Sequence, residues 1–243
     1  MKKISKQTAF FAALLLSSFF VHAEEKSFFI PGKDKITRDV NLVEERDFDA
    51  NGRLSSLKQA SGPVITYKYD KKGRISSVSH DSGYKETFEY NKKGLLTHKK
   101  TSADIEEWYD YDANGVLLAK RGNDSTGRKY SYDQNGKLVE ITYYEGDVIL
   151  YSENYEYNTE GRRSKKTYSY GEEELYTYDE NKHLTKKTYA DGTYTEYVYS
   201  KEGNLVYSHT AIEDTDEETF YIYELTEDGK TKKMMKYQCI TSK

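Results

Sequence analysis

The chain is 243 residues long, with 37 Lys and Arg against 41 Asp and Glu, 25 Tyr, two Pro and one Cys. Leu, Ile, Val and Phe make up only about 19% of it, a level that signals disorder in so charged a chain unless Tyr supplies the core. One cysteine excludes a disulfide framework and a zinc site of paired thiolates, and the net charge of −4 disfavours nucleic acid and anionic lipid as partners.

The first 23 residues read as a leader. Lys2, Lys3 and Lys6 precede an apolar run from Ala9 to Val21, and Val21-His22-Ala23 places small residues where a signal peptidase cleaves. The run falls short of the ~18 to 20 residues a membrane-spanning helix needs. Cleavage after Ala23 is therefore expected. No Cys follows to accept a lipid, so the mature chain is expected to be periplasmic or secreted, with no membrane insertion. Residues 24–45, which include Phe28, Phe29 and Ile30, have the character of an N-terminal cap.

Residues 46–231 are an array of about nine copies of one unit. FDANGRL from Phe48, YDKKGRI from Tyr69, YNKKGLL from Tyr90, YDANGVL from Tyr111, YDQNGKL from Tyr132, YNTEGRR from Tyr157, YDENKHL from Tyr178 and YSKEGNL from Tyr199 align without gaps. Gly52, Gly73, Gly94, Gly115, Gly136, Gly161 and Gly203 mark the same position, with Lys182 the one replacement, and the step is 21 residues everywhere except 25 between Gly136 and Gly161. A degenerate copy ends at Gly229. Asp followed three residues later by Gly predicts a type I turn closed by a positive-φ residue and followed by a bulge, so each tetrapeptide is a hairpin tip. Phe48 then faces Leu54, Tyr69 faces Ile75, and the residue two before each aromatic faces the residue two after its partner. Tyr67, Tyr109, Tyr130, Tyr155, Tyr176 and Tyr197 form a first aromatic column. Tyr69, Tyr90, Tyr111, Tyr132, Tyr157, Tyr178 and Tyr199 form a second on the same side. Polar residues such as Lys68, Glu89, Asp110 and Glu156 alternate with them, which is the period of a strand with one apolar and one solvated face.

A second set of turns, at Asp81-Ser82-Gly83, Glu145-Gly146-Asp147 and Asp191-Gly192, completes each unit. The fold class is all-β: tandem ~21-residue hairpins in a long curved antiparallel meander or spiral sheet of roughly eighteen strands. Such a sheet must curl, spiral or acquire a partner, since open twisted sheets rarely exceed ~10 strands. Residues 232–243, KKMMKYQCITSK, form a C-terminal cap strand or tail.

The Tyr-Asp pair, the Gly three residues after the Asp, the aliphatic that follows and the near-constant spacing resemble the YD repeat of the Rhs family and its teneurin and toxin-complex relatives. The resemblance covers about residues 46 to 231 and implies a β-sheet shell. In that family long arrays wind around a C-terminal toxin and end in a self-cleaving Asp-Pro-x-Gly-Leu motif. Here the only prolines are Pro31 and Pro63, after Ile30 and Gly62. Toxin packaging and autoproteolysis are accordingly not expected; the architecture and a recognition role are.

The residues give little sign of catalysis. Asp49, Asp70, Asp112, Asp133 and Asp179, with Asn91 and Asn158, recur about two strand spacings apart, ~10 Å, too far to share a cation, so they read as turn caps. His80, His98, His183 and His209 fall at four different offsets in the repeat and build no shared site. GxSxG, HExxH and phosphate-loop patterns are missing from the sequence. No catalytic, metal or cofactor residues are assigned. The acidic stretches Glu172-Glu173-Glu174 and Glu213 to Glu218 read as solvated loops, and Cys239 as a thiol on the terminal strand. The thirteen column tyrosines are the candidate binding stripe, because Tyr in place of Phe calls for water or a polar partner at each hydroxyl. The expectation is an exported, non-enzymatic repeat protein that binds a protein or carbohydrate at the bacterial cell envelope. The alternatives are a periplasmic immunity or accessory protein for a secreted toxin and, last, an enzyme.

Overall fold

The computed structural model describes residues 23–242, so the leader lies outside the described residues. Their regular structure is entirely β. The first hairpin joins β1 (Glu24–Phe28) to β2 (Ile36–Phe48). The next eight strands are β3 (Leu54–Gln59), β4 (Val64–Tyr69), β5 (Ile75–His80), β6 (Lys85–Tyr90), β7 (Leu96–Thr101), β8 (Glu106–Tyr111), β9 (Leu117–Gly122) and β10 (Thr126–Tyr132). A longer pair, β11 (Leu138–Glu145) and β12 (Val148–Tyr157), absorbs the 25-residue step. The last seven are β13 (Arg163–Tyr168), β14 (Glu173–Tyr178), β15 (Leu184–Tyr189), β16 (Tyr194–Tyr199), β17 (Leu205–Ala211), β18 (Thr215–Leu225) and β19 (Thr231–Ser242).

Every consecutive pair from β2 to β19 is antiparallel, and β19 returns to pair with β2. The meander therefore closes into a barrel. Closure disposes of the long free edges that an open sheet of this length would expose. β1 is the extra strand, added to the first half of β2 from Glu24↔Val40 to Phe28↔Ile36.

The turn chemistry comes straight from the repeat. Asp49 Oδ1 accepts from the Asn51 and Arg53 amides, both at 2.9 Å, and the Gly52 amide donates to the Asp49 carbonyl at 2.8 Å. Gly52 has φ +76° and Gly115 φ +90°, left-handed values that cost an L-residue, yet Lys182 adopts φ +76° at the one copy without Gly. Each such turn is followed by a bulge, and the bulge corrects one expected pairing. Tyr69 faces Ile75, but Lys68 faces Ser77 and Tyr67 faces Val78, one residue further than simple alternation gives. The extra residue after each turn shifts the outgoing strand by one and so exchanges its two faces. In other copies the first column is therefore opposite lysine: Phe88↔Lys99, Tyr109↔Lys120, Tyr155↔Lys166 and Tyr176↔Lys187. The tyrosine face is thus aromatic and ionic, and not simply apolar.

Fully apolar burial is concentrated where the chain ends meet. Phe28, Ile30, Val40, Tyr207, Phe220 and Tyr237 form one buried cluster, with Val40 and Phe220 at 0% exposure. Phe28 stacks on Phe220 with ring centroids 3.9 Å apart. The β1–β2 hairpin, in the segment with cap character, lies across β17, β18 and β19 beside the closing β2–β19 ladder.

Candidate functional site

The second tyrosine column is held from both sides of its ring. Tyr69 donates to the Leu54 carbonyl at 2.7 Å, and Tyr90, Tyr111 and Tyr132 donate at 2.8 Å to the carbonyls of Ile75, Leu96 and Leu117. Tyr157 reaches Leu138 at 2.6 Å and Tyr178 reaches Arg163 at 2.8 Å. Each acceptor is the residue that opens the strand after the previous turn. The hydroxyl thus ties one hairpin tip to the next, which is what Phe at this position does not do.

After Gly52 and Gly73 an arginine completes the clasp. Arg53 donates to Asp49 Oδ2 at 2.7 Å and lays its guanidinium 4.4 Å from the Tyr69 ring centroid. Arg74 repeats this with Asp70, at 2.7 Å, and with Tyr90, at 4.3 Å. The side-chain hydrogen bond from Arg53 holds the Asp49 carboxyl below the usual range, and Arg74 does the same for Asp70. In the copy with Lys182, His183 takes the arginine's place, 3.2 Å from Asp179 and stacked 4.5 Å from Tyr199. These rings line a shallow cleft with Ser200 and Gly203. Arg163 departs differently. It stands opposite Tyr157 where other copies carry Leu or Ile, with its guanidinium 4.1 Å from the Tyr155 ring and its Nε buried without a hydrogen-bond partner.

The first column sits in an ionic ladder. Tyr109 donates to Glu107 at 3.0 Å, and Tyr155 and Tyr176 donate to Glu153 and Glu174. Lys99 bridges Glu86 at 3.4 Å and Glu107 at 3.3 Å, and Lys120 also pairs with Glu107. Further round, Lys166 lies 3.0 Å and Lys187 2.9 Å from Glu174. Burial works to raise the Glu174 carboxyl, but hydrogen bonds from Tyr176, Lys187 and Lys166 overcome it and hold the group down at about 2. Burial pushes the phenols of Tyr109, Tyr155 and Tyr176 up, and their carboxylate acceptors push the same way.

Of the thirteen tyrosines of the candidate stripe, Tyr155 is buried and the other twelve are half-buried; none is exposed. The structure brings them onto one face, with Tyr67, Tyr130 and Tyr197 continuing the first column. Gly52, Gly73, Gly94, Gly115, Gly136, Gly161 and Gly203 all take positive φ at the tips.

A run of three consecutive exposed apolar residues lies elsewhere, at the tip of the β11–β12 hairpin. Val148, Ile149 and Leu150 are 64%, 69% and 54% exposed. Behind them Tyr143 stacks on Tyr151 at 4.3 Å, Tyr168 stacks on Tyr170 at 5.1 Å, and Tyr170 meets the edge of Tyr151 at 6.1 Å. Tyr144 covers the main chain of Gly127, where a Cβ would come within 2.3 Å of its ring. The ionic ladder is interrupted at the same place, because Tyr130 faces Ile141 where the copies on either side, at Tyr109 and Tyr155, face lysine. The signals for this hairpin were the 25-residue step and the Val-Ile-Leu run, neither of which belongs to the repeat.

A closed array of tandem hairpins, whose successive tips are tied by tyrosine hydroxyls and, at Arg53 and Arg74, by an Asp-Arg-Tyr contact, is the class of structure these features define. Residues 32–174 match the Teneurin YD-shell family and residues 178–218 the RHS repeat; the first match covers more than half of the chain, which therefore belongs to the YD-shell family. No curated protein sequence matches it. Among solved structures the chain is similar to TcdB2-TccC3, at 16% identity and a TM-score of 0.40 over 82% of this chain and 14% of that one. The same protein with Cdc42 aligns at 14% identity and a TM-score of 0.40, again over 82% and 14%. A porin-like protein from Bacteroides uniformis aligns at 11% identity and a TM-score of 0.47 over 82% of this chain and 96% of that one. The chain thus spans about a seventh of the TcdB2-TccC3 chain.

Proposed function

We propose that this chain is an exported, non-enzymatic YD-repeat barrel that binds a protein partner at the cell envelope. The observation that carries the proposal is the state of the tyrosine face. Its carboxylates pair with lysines and accept hydrogen bonds from phenols, and Glu174 is driven down to about 2 while the phenols are driven upward. Acid–base catalysis calls for the opposite, groups tuned toward neutral pH. A face spent on internal ties supports a scaffold, with recognition falling to surface that the repeat does not use. Export rests on Lys2, Lys3, Lys6 and the Ala9 to Val21 run.

Capture from a solubilised envelope fraction with the purified protein as bait, beside a glycan panel, tests the proposal. Saturable capture of a protein, without glycan binding, is the expected result. Binding to glycans alone would replace the protein partner with a sugar, and failure of both arms would overturn the binding role. Turnover by the purified chain on any substrate, lost on mutating a ladder carboxylate, would overturn the non-enzymatic assignment.

A further inference from the structure

We propose that the overhanging half of β12, Val148–Tyr151, is an open sheet edge that receives an extended strand of the partner protein, with alternating apolar residues and a basic flank. The inference rests on the protein-binding role proposed above and assigns it a place. β12 pairs with β11 through Glu145↔Val148, Tyr144↔Ile149 and Tyr143↔Tyr151. On its other side, the ladder to β13 begins only at Glu153↔Tyr168, with Ser152 held by Ser169 just before it. Four residues of main chain, with a bulge at Leu150, therefore have a strand on one side only.

The main chain of such an edge selects its occupant. Unpaired N–H and C=O groups in a row are matched by another extended strand, and the side chains beside them set which strand. Native proteins usually blunt an open edge with charge, as β1 does here with Glu24, Glu25 and Lys26. The β12 edge instead presents Val148, Ile149 and Leu150, all more than half exposed. This is the β-prone apolar composition that strand pairing favours and that isolated edges avoid.

Charge decides between a foreign strand and a second copy. Glu145 and Asp147 flank the tip and Glu172 lies on the neighbouring β13–β14 turn, all three exposed. Two copies meeting edge to edge would bring these acids together on chains that each carry −4. Four paired residues bury far less than the ~1,000 Å² a stable interface needs to offset that repulsion. A basic-flanked strand meets the same acids favourably.

The test uses two capped heptapeptides, Lys-Val-Thr-Val-Thr-Val-Lys and its counterpart with Glu at both ends, titrated into isotopically labelled protein. Shifts and slowed amide exchange confined to Val148–Ser152 and the facing β11 residues, with the Lys peptide bound at least about fivefold tighter, are expected. Ile149→Lys should weaken that binding about tenfold or more with circular dichroism and thermal midpoint unchanged. Asp147→Lys, at a solvent-facing turn, supplies a second variant that alters charge without touching the edge, and should abolish the preference for the Lys peptide. Shifts mapping elsewhere, equal binding of both peptides, or binding unmoved by Ile149→Lys would each overturn the proposal while leaving envelope capture intact. A concentration-dependent dimer abolished by Ile149→Lys would overturn it in favour of self-association.

Discussion

The arc of regular repeats and the seam where the ends meet solve the same problem with different chemistry. In the arc, strands that pair are neighbours in sequence, and polar and aromatic ties recur between tips, most fully as Asp70 to Arg74, Arg74 over Tyr90 and Tyr90 to the Ile75 carbonyl. At the seam, Leu42 pairs with Tyr237 across nearly the whole chain. Closing a loop of that length costs about 3 kcal/mol more than closing a short hairpin, since each doubling of length adds ~0.6 kcal/mol. The seam is also where Phe28, Val40, Phe220 and Tyr237 are buried together. Small repeated polar ties suffice where the chain supplies proximity; a concentrated apolar cluster offsets the entropy where it does not.

That contrast is broken most directly at Phe220. It is fully buried and stacked on Phe28, so Phe220→Ala should cost about 3–5 kcal/mol and lower the urea midpoint accordingly. Amide exchange should show the loss first in β1, β2 and β19. Uniform loosening around the whole barrel would instead mean that arc and seam unfold as one unit.

The ionic ladder gives the next effect. The Glu174 carboxyl is depressed to about 2 in the folded protein against an ordinary 4.5, so its stabilisation is complete above about pH 4.5 and is lost as pH falls toward 2. Urea midpoints taken across that window should fall more steeply for the parent chain than for Glu174→Gln, by on the order of 3 kcal/mol over the full range. Parallel slopes in the two proteins would take Glu174 out of the acid response.

How far the sequence reaches is clear from individual positions. The turns, the antiparallel strands and the two aromatic columns were legible because Asp, Gly and Tyr recur at fixed spacing and each type has one local use. The lysines of the tyrosine face were not, because beyond each turn the outgoing strand runs one residue further than simple alternation gives, which exchanges its faces. Simple alternation puts Ala119 opposite Tyr109, but Lys120 stands there, and Lys99 and Lys120 pair with Glu107. Closure was open among spiral, curl and partnered sheet, since the β2–β19 register is set by residues such as Leu42 and Tyr237 that lie outside the array. The stripe had polar hydroxyls as its signal but no indication that backbone carbonyls one hairpin away would take them.

Within the arc, the hydroxyl tie can be removed while the ring stays. Tyr111 donates to the Leu96 carbonyl at 2.8 Å, and Tyr111→Phe leaves that half-buried acceptor short of a partner. The expected cost is about 1–2 kcal/mol, read as a lower urea midpoint with an unchanged slope. A neutral result would mean that water replaces the hydroxyl and that packing alone explains the column.

The smallest effect is expected from the guanidinium half of the clasp. Arg74→Ala removes the Asp70 ion pair and the contact with the Tyr90 ring, but Arg74 is about a quarter exposed and solvent screens much of the pair, so a loss of about 0.5–1 kcal/mol is expected. Arg74→Lys separates the two contributions, since ammonium keeps the charge near Asp70 but not the planar stack over Tyr90. If Lys restores the parent stability, the ion pair is what matters. If it behaves like Ala, the stack is. The expected order, Ala below Lys below Arg with both steps under about 1 kcal/mol, would show a clasp whose parts add weakly in each unit and acquire weight only by repetition around the ring.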